Sequence, residues 1–228
     1  MRRGPTLFLH ERAFADILER LSLVRRRFRS ALLLGCLDRN WVERLREAAD
    51  SVTAVAGTVD LGHSDHDLCV AVGTLDTVND LPRELLKIRA ALAPDSLLIG
   101  AVPGGDTLPV LRGAMRAADA VMGEATPHVH PRIEPAALGA LLSSAGFAEP
   151  VVDVDRIDLS YPGLAALISD LRGMAATNIL SQRSCRPLTR AAAAAAADYF
   201  QSAGKSGRTV ERIELLHFAA WTPRTIRG

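Results

Sequence analysis

The sequence predicts an α/β fold organised around a doubly wound, mostly parallel sheet. Three short apolar runs carry this expectation: Ala31 to Gly35 (ALLLG), Leu68 to Val72, and Ser96 to Val102 (SLLIGAV). Runs of this length, continuous rather than alternating and closed by glycine or polar turns, are what strands covered on both faces look like. Amphipathic helical stretches lie between them, giving the strand–helix alternation of a doubly wound sheet. The 228 residues are 48% hydrophobic and 23% charged, a globular composition with enough chain to build a core without disulfides or metal.

In chain order, residues 11–29 form a predicted helix with Phe14, Ile17, Leu18, Leu21 and Leu23 on one side, ending in the basic cluster Arg25 to Arg29. After the strand 31–35, Asp38 or Asn40 can cap a helix over 41–49. Strands follow at 51–56 and 68–72, then a helix over 79–92 with Pro82 in its first turn, then the strand 96–102. Beyond Pro103-Gly104-Gly105-Asp106 come a helix over 107–122, a Pro/His loop over 126–132 and a helix over 134–145 stopped by Gly146. Val151 to Leu159 alternates apolar residues with acids, as a half-exposed strand does. Helices over 162–174 and 188–201 and a strand over 208–221 complete the chain; seven consecutive alanines in the second helix need no explanation beyond helix propensity. Gly204 to Gly207 (GKSG) lacks the upstream glycine and preceding strand of a phosphate loop and reads as a turn. One domain over 1–228 is expected, with an N-terminal helix (1–29), a first half (30–102) and a second half (103–228).

Charge excludes several partners. Lys+Arg of 27 against Asp+Glu of 26 leaves +1, too balanced for a chain held to nucleic acid or to an anionic membrane surface. The Arg25–Arg29 cluster reads as a solvated helix end where cations suit the dipole, or as a contact for an acidic partner or RNA. Cys36, Cys69 and Cys185 are odd in number and far apart, so no zinc spacing or disulfide framework arises. The apolar run near the start breaks after Leu9, short of a secretory core, and no stretch reaches the ~18 apolar residues of a membrane span. A cytoplasmic protein is expected.

In such a sheet, ligands sit at the carboxyl ends of the central strands, here the turns 35–40, 57–67, 73–79 and 103–107. The motifs VNDLP at 78–82, PGGDTL at 103–108, PHVHP at 127–131, SAGF at 144–147 and YPGLAALISDLRGM at 161–174 occur in that order. Together they resemble the class I S-adenosylmethionine-dependent methyltransferase superfamily. Within it they are most similar to the complex I assembly factors of arginine-hydroxylase type and to the malonyl-carrier-protein methyltransferases of biotin synthesis. The resemblance covers about residues 11–222. It implies a bacterial relative with a class I methyltransferase-like, Rossmann-like sheet, S-adenosylmethionine as cofactor, and a protein substrate or partner, an arginine of a complex I subunit in the narrower branch.

Three departures fall on the cofactor side. The family's first strand ends in a G-x-G-x-G loop whose glycines let backbone approach the cofactor; here GCLDRN at 35–40 keeps only Gly35, with Leu37 and Arg39 where small residues belong. The acid that binds the ribose should stand about 20 residues on, at the end of the second strand. The strand ends Val55-Ala56-Gly57-Thr58 instead, leaving Asp60 as the nearest candidate. Only Gly57 to Asp67 separates the second strand from the next, too few residues for a helix and a return strand, so the family's third strand and its helix are predicted to be missing. Matched onto the family, Gly35, Asp38 and Asp60 remain to contact a cofactor, with Thr74 to Asp76 lining its adenine side.

Asp106, His128, His130 and Tyr161 are the substrate-side candidates. Asp106 is either the N-cap of the following helix or a carboxylate aimed at an arginine-like group. His128 and His130, two apart in an extended loop, project to one side as acid/base or anion contacts, or pack the loop. Tyr161, with Asp170 and Asn178, suits a guanidinium, or Asp170 is plain helix surface. Asp60, His63, Asp65, His66 and Asp67 form either a divalent-metal cluster or, as favoured here, a solvated loop; no metal site is assigned. Two functions follow: an S-adenosylmethionine-dependent enzyme working through a remodelled loop, with Asp38 or Asp60 indispensable, or a non-catalytic assembly factor that has lost the cofactor. A nicotinamide-dependent oxidoreductase ranks third, needing the same missing glycines and acid.

Overall fold

A computed structural model describes residues 7–57, 61 and 65–224. Six strands, β1 (Phe28–Leu34), β2 (Ala49–Val55), β3 (His66–Val72), β4 (Leu92–Pro103), β5 (Ala148–Tyr161) and β6 (Thr209–Trp221), form one sheet in the order β2-β1-β3-β4-β6-β5. β2, β1, β3 and β4 run parallel and β6 is antiparallel to β4. With β2 and β3 on either side of β1, this is the doubly wound, Rossmann-like arrangement expected. Among the described residues no strand lies beyond β2, so the third strand of the wound order is missing, as the short 57–67 segment predicts.

The helices are α1 (Phe8–Leu23), α2 (Asn40–Leu45), α3 (Leu81–Ala91), α4 (Pro109–Met122), α5 (Pro135–Ser144), α6 (Leu164–Gly173) and α7 (Arg190–Ser202). The chain divides into two compact units. The sheet unit holds Leu9–Gly104, Ile133–Asp155 and the chain from Leu215; the helical unit holds Gly105–Arg132 and Arg156–Glu214.

In the sheet unit, β3 is buried along its whole length, which is why HDLCVAV is nearly all apolar. Its core gathers Leu32, Leu34, Leu98, Leu142, Phe147 and Phe218, among others. A methyl group added at Gly100 would lie 2.5 Å from both the Ala71 carbonyl oxygen and Phe218 Cζ, so this position admits only glycine if the ring stays in place. α1 buries Phe14, Ile17 and Leu21 but ends at Leu23, not at 29 as its periodicity predicts. Phe28 is fully buried opposite Ala49 in the β1 ladder, and that burial outweighs continuation of the helix. The arginines around it serve the strand entry: Arg26 lies over the Phe28 ring and bonds the Asp95 carbonyl, and Arg27 pairs with Asp50. α2 likewise stops short of 49, because Ala49 already opens β2. Asp80 caps α3 through Arg83 N at 3.0 Å, with Pro82 in the first turn as expected.

In the helical unit, α4 packs on α7, whose alanine run buries only Ala192 and Ala196, one turn apart, beside Phe200. Thr189 caps α7 through Ala192 N at 3.2 Å. The GKSG segment is the tight turn expected, closed by Lys205 N to Arg208 O at 2.9 Å and the reciprocal bond at 3.0 Å.

Candidate functional site

At the carboxyl end of the sheet unit's strands, β1 runs into Gly35 and β3 into Gly73, both with φ in the left-handed region (+79° and +69°). A side chain at Gly35 would collide with the Val72 carbonyl oxygen and come 2.5 Å from Thr74 Cγ2. One at Gly73 would come 2.9 Å from His10 Cδ2 and 3.1 Å from Leu37 Cδ1. Both glycines therefore accommodate the protein's own atoms, and the face of Gly73 is covered by His10 from α1 and by Leu37. Burial lowers the His10 imidazole from its ordinary value, opposed by the charge of Asp76. His10 Nδ1 and Thr74 Oγ1 are both buried without a hydrogen-bond partner.

Asp38 accepts from Asn40 N at 2.9 Å, while its carbonyl receives Cys36 Sγ at 3.2 Å and Trp41 N at 3.1 Å. It stiffens the turn before α2; the N-cap position itself is Arg39, without a side-chain cap. Asp60 and His63 lie outside the described residues. His66 and Asp67 belong to β3: His66 Nδ1 lies 2.8 Å from Ser30 Oγ, and Asp67 accepts from Arg29 N and Ser30 N. Cys36 and Cys69 thiols are both pushed up by burial, the opposite of nucleophile activation.

The turn after β1 carries one glycine, Gly35, of the three by which the superfamily holds S-adenosylmethionine. Gly35 is crowded by the Val72 carbonyl and Thr74, and Leu37 packs with His10 against Gly73 in the turn after β3. The ribose diol needs a carboxylate at the end of β2, and Val55-Ala56-Gly57 offers none.

The substrate-side candidates all lie in the helical unit. Asp106 is not the N-cap of α4. That position is Leu108 in a left-handed conformation (φ 60°), and the α4 amides Val110 N and Leu111 N are taken by the buried Glu211, at 3.2 and 2.7 Å. The PGG turn carries the chain past Asp106 before the helix begins, so the cap comes from β6 instead. Asp106 does hold a guanidinium, but of this chain: Arg212 lies 3.4 Å from its carboxylate and 3.1 Å from that of Asp158.

Tyr161 is buried, and the Asp170 carboxylate acts on its hydroxyl. Burial, then Asp170 and Glu211, push the phenol up to about 12, which keeps it protonated as a donor. Asp170 is thus a partner of Tyr161 and not plain helix surface.

His128 and His130 diverge in role. His130 is buried and its Nε2 accepts from Ile179 N at 3.2 Å, which packs the loop against the segment after α6. His128 Nε2 lies 2.7 Å from Asp119 Oδ1 and 3.0 Å from Thr126 Oγ1, and His128 lines a cavity of about 400 Å³. Asn178 donates to Pro127 O at 2.8 Å and also lines that cavity. Glu211 and Asp119 are the functional-looking acids that the sequence reading lacks. Each carried a signal: Glu211 shares the inward parity of Thr209 and Ile213 on β6, and Asp119 sits on the buried stripe of α4 with Met115 and Ala118.

No protein-family model matches the chain. It is 30% identical over 242 residues to the arginine-hydroxylase NDUFAF5, mitochondrial, of Danio rerio, covering 95% of this chain and 75% of that protein. The chain belongs to the NDUFAF5 family. Mouse, rat and human NDUFAF5 match over 46% of their own length, so the chain spans about half of these relatives. A malonyl-[acyl-carrier protein] O-methyltransferase of Xylella fastidiosa is 34% identical over 169 residues, 74% of this chain and 56% of that protein. Among solved structures, phosphoethanolamine N-methyltransferase 2 of Haemonchus contortus, in complex with phosphomonomethylethanolamine and S-adenosylhomocysteine, shares the fold. Its TM-score is 0.54 at 10–11% identity, over 92% of this chain and 52% of that one. This NDUFAF5-family chain is therefore a class I methyltransferase superfamily member in sequence kinship and in sheet order. Among the described residues no helix is long and apolar enough to cross a membrane.

Proposed function

We propose that this NDUFAF5-family chain is a protein-binding assembly factor on the methyltransferase fold, acting on or near a subunit of respiratory complex I, and that it works without S-adenosylmethionine. One observation supports the cofactor half of this reading: Leu37, which stands where the glycine-rich turn after β1 would carry a small residue, packs with His10 against Gly73 in the neighbouring turn after β3. Kinship with NDUFAF5 supports the complex I half. The segments that resemble the family beyond residue 103, by contrast, are kept, including PGGDTL and the YPG stretch with Tyr161 and Asp170.

A second reading has one observation in its favour. The unpartnered His10 Nδ1 and Thr74 Oγ1 suit a polar ligand at the same turn, and a remodelled S-adenosylmethionine site using Asp38 and Asp60 would make the protein an enzyme.

Deletion of the gene in its host separates these readings. Assembled complex I should fall several-fold in the deletion strain, and both the wild type and the Asp38→Ala/Asp60→Ala double variant should restore it equally. Rescue by the wild type alone, with the variant folded and expressed, would favour the enzyme; unchanged complex I in the deletion strain would remove the assembly role.

A further inference from the structure

We propose that the cavity of the helical unit is an anion site, taking a small ligand that carries a carboxylate or phosphate group. This stands independently of the cofactor and of complex I, because it rests only on the cavity's own walls.

Three guanidinium groups, those of Arg172, Arg183 and Arg186, line the space of about 400 Å³. Arg172 comes from the last turn of α6, the other two from the segment leading to α7. Arg183 Nη1 donates to the Leu180 carbonyl at 3.2 Å; none of the three is ion-paired with a carboxylate of the described residues. Three guanidinium groups outnumber the two carboxylates, Asp119 and Glu124, on this concave surface, and the guanidinium fork matches carboxylate and phosphate oxygens.

The two acids on the wall are already committed. Asp119 accepts from Thr126 N at 3.1 Å and holds His128, and Glu124 Oε1 accepts from Ser184 Oγ at 3.3 Å. The contact of Nε2 with Asp119 fixes the His128 ring on the cavity wall, where it reports on what enters. The cavity is at the small end of ligand pockets, roughly 300–1,000 Å³, and Met122 and Leu188 give it an apolar side. That combination suits a small organic acid or phosphate ester.

The test is an NMR titration of the full chain with inorganic phosphate and, separately, with succinate, following the His128 ring signals against sodium chloride at matched ionic strength. A saturable shift is expected, weakened about tenfold or more for each guanidinium removed in Arg172→Gln and Arg186→Gln. Both substitutions are on exposed side chains, and an unchanged melting curve will show that the fold is kept. Saturation by phosphate alone assigns a phosphate ligand and by succinate alone a carboxylate; saturation by both supports the site for either group. No saturable shift with either anion, or equal affinity in the Arg172→Gln/Arg186→Gln variant, would overturn the proposal while leaving the assembly reading untouched.

Discussion

Replacing Trp41 by alanine should destabilise the protein by about 3–5 kcal/mol, the range for deleting a fully buried aromatic. The Trp41 ring is wholly buried and stacked on Phe14, with centroids 4.5 Å apart and planes 10° from parallel. Its indole N–H donates to Glu11 Oε2 at 2.7 Å, Arg44 bonds the other oxygen of Glu11, and the same guanidinium lies 5.1 Å from the Phe14 ring centroid. Truncation opens a cavity between α1 and α2 and strands part of this network at once. Trp41→Phe keeps most of the packing and loses the indole bond, so about 1 kcal/mol beyond any repacking is expected. Urea unfolding of the two variants checks the ordering. It also bears on function, since α1 carries His10 and α2 closes the turn that carries Leu37. If Trp41→Ala unfolds at the wild-type urea midpoint, the two helices are not pinned as described.

Glu211→Ala should cost about 2–4 kcal/mol, because it leaves two amides at the start of α4 without acceptors and removes a side chain from a closed site. Glu211→Gln should be far milder. Burial raises the Glu211 carboxyl from its ordinary value, despite the backbone amides and Arg112, which favour the charge. The folded state therefore holds this proton more tightly than the unfolded chain. The stability it contributes is full below the unfolded value, near pH 4.3, and is lost as the pH rises through the raised folded value. Glutamine has no such loss, so Glu211→Gln should gain on the wild type as the pH increases. Melting curves at pH 5 and pH 8 test this. Equal damage by Gln and Ala at pH 8 would mean that α4 requires the charge itself.

Much of the fold is legible in the sequence, because each strand of the sheet unit announces itself by unbroken apolar character between glycine and polar turns. The short 57–67 segment is enough to predict the missing third strand, since chain length limits topology directly. What fails is local reading where a distant partner decides. Arg25–Arg29 has a good helical ending, yet Phe28 finds a fully buried place opposite Ala49, which no local pattern contains. Asp106 stands where an N-cap belongs, but a left-handed Leu108 shifts the helix start and a glutamate 101 residues from Val110 supplies the acceptor.

The candidate site divides the same way. That Gly35 is the last of the expected glycines, and that β2 ends without an acid, can be read from residue order alone. That Thr74 and the Val72 carbonyl crowd Gly35, and that His10 and Leu37 lie over Gly73, depends on the parallel register of β1 with β3 and on where α1 packs. The two histidines of PHVHP are indistinguishable in sequence; their partners, Asp119 for one and Ile179 N for the other, separate a cavity-lining ring from a packing one.

On our proposal the protein works without S-adenosylmethionine, with Leu37 and His10 packed where the turns after β1 and β3 meet. Calorimetric titration of the full chain with S-adenosylmethionine and S-adenosylhomocysteine tests it most directly. No binding heat is expected for either at millimolar concentration. Micromolar binding that disappears in Asp38→Ala or Asp60→Ala would contradict it and identify the shortened turn as a working cofactor site.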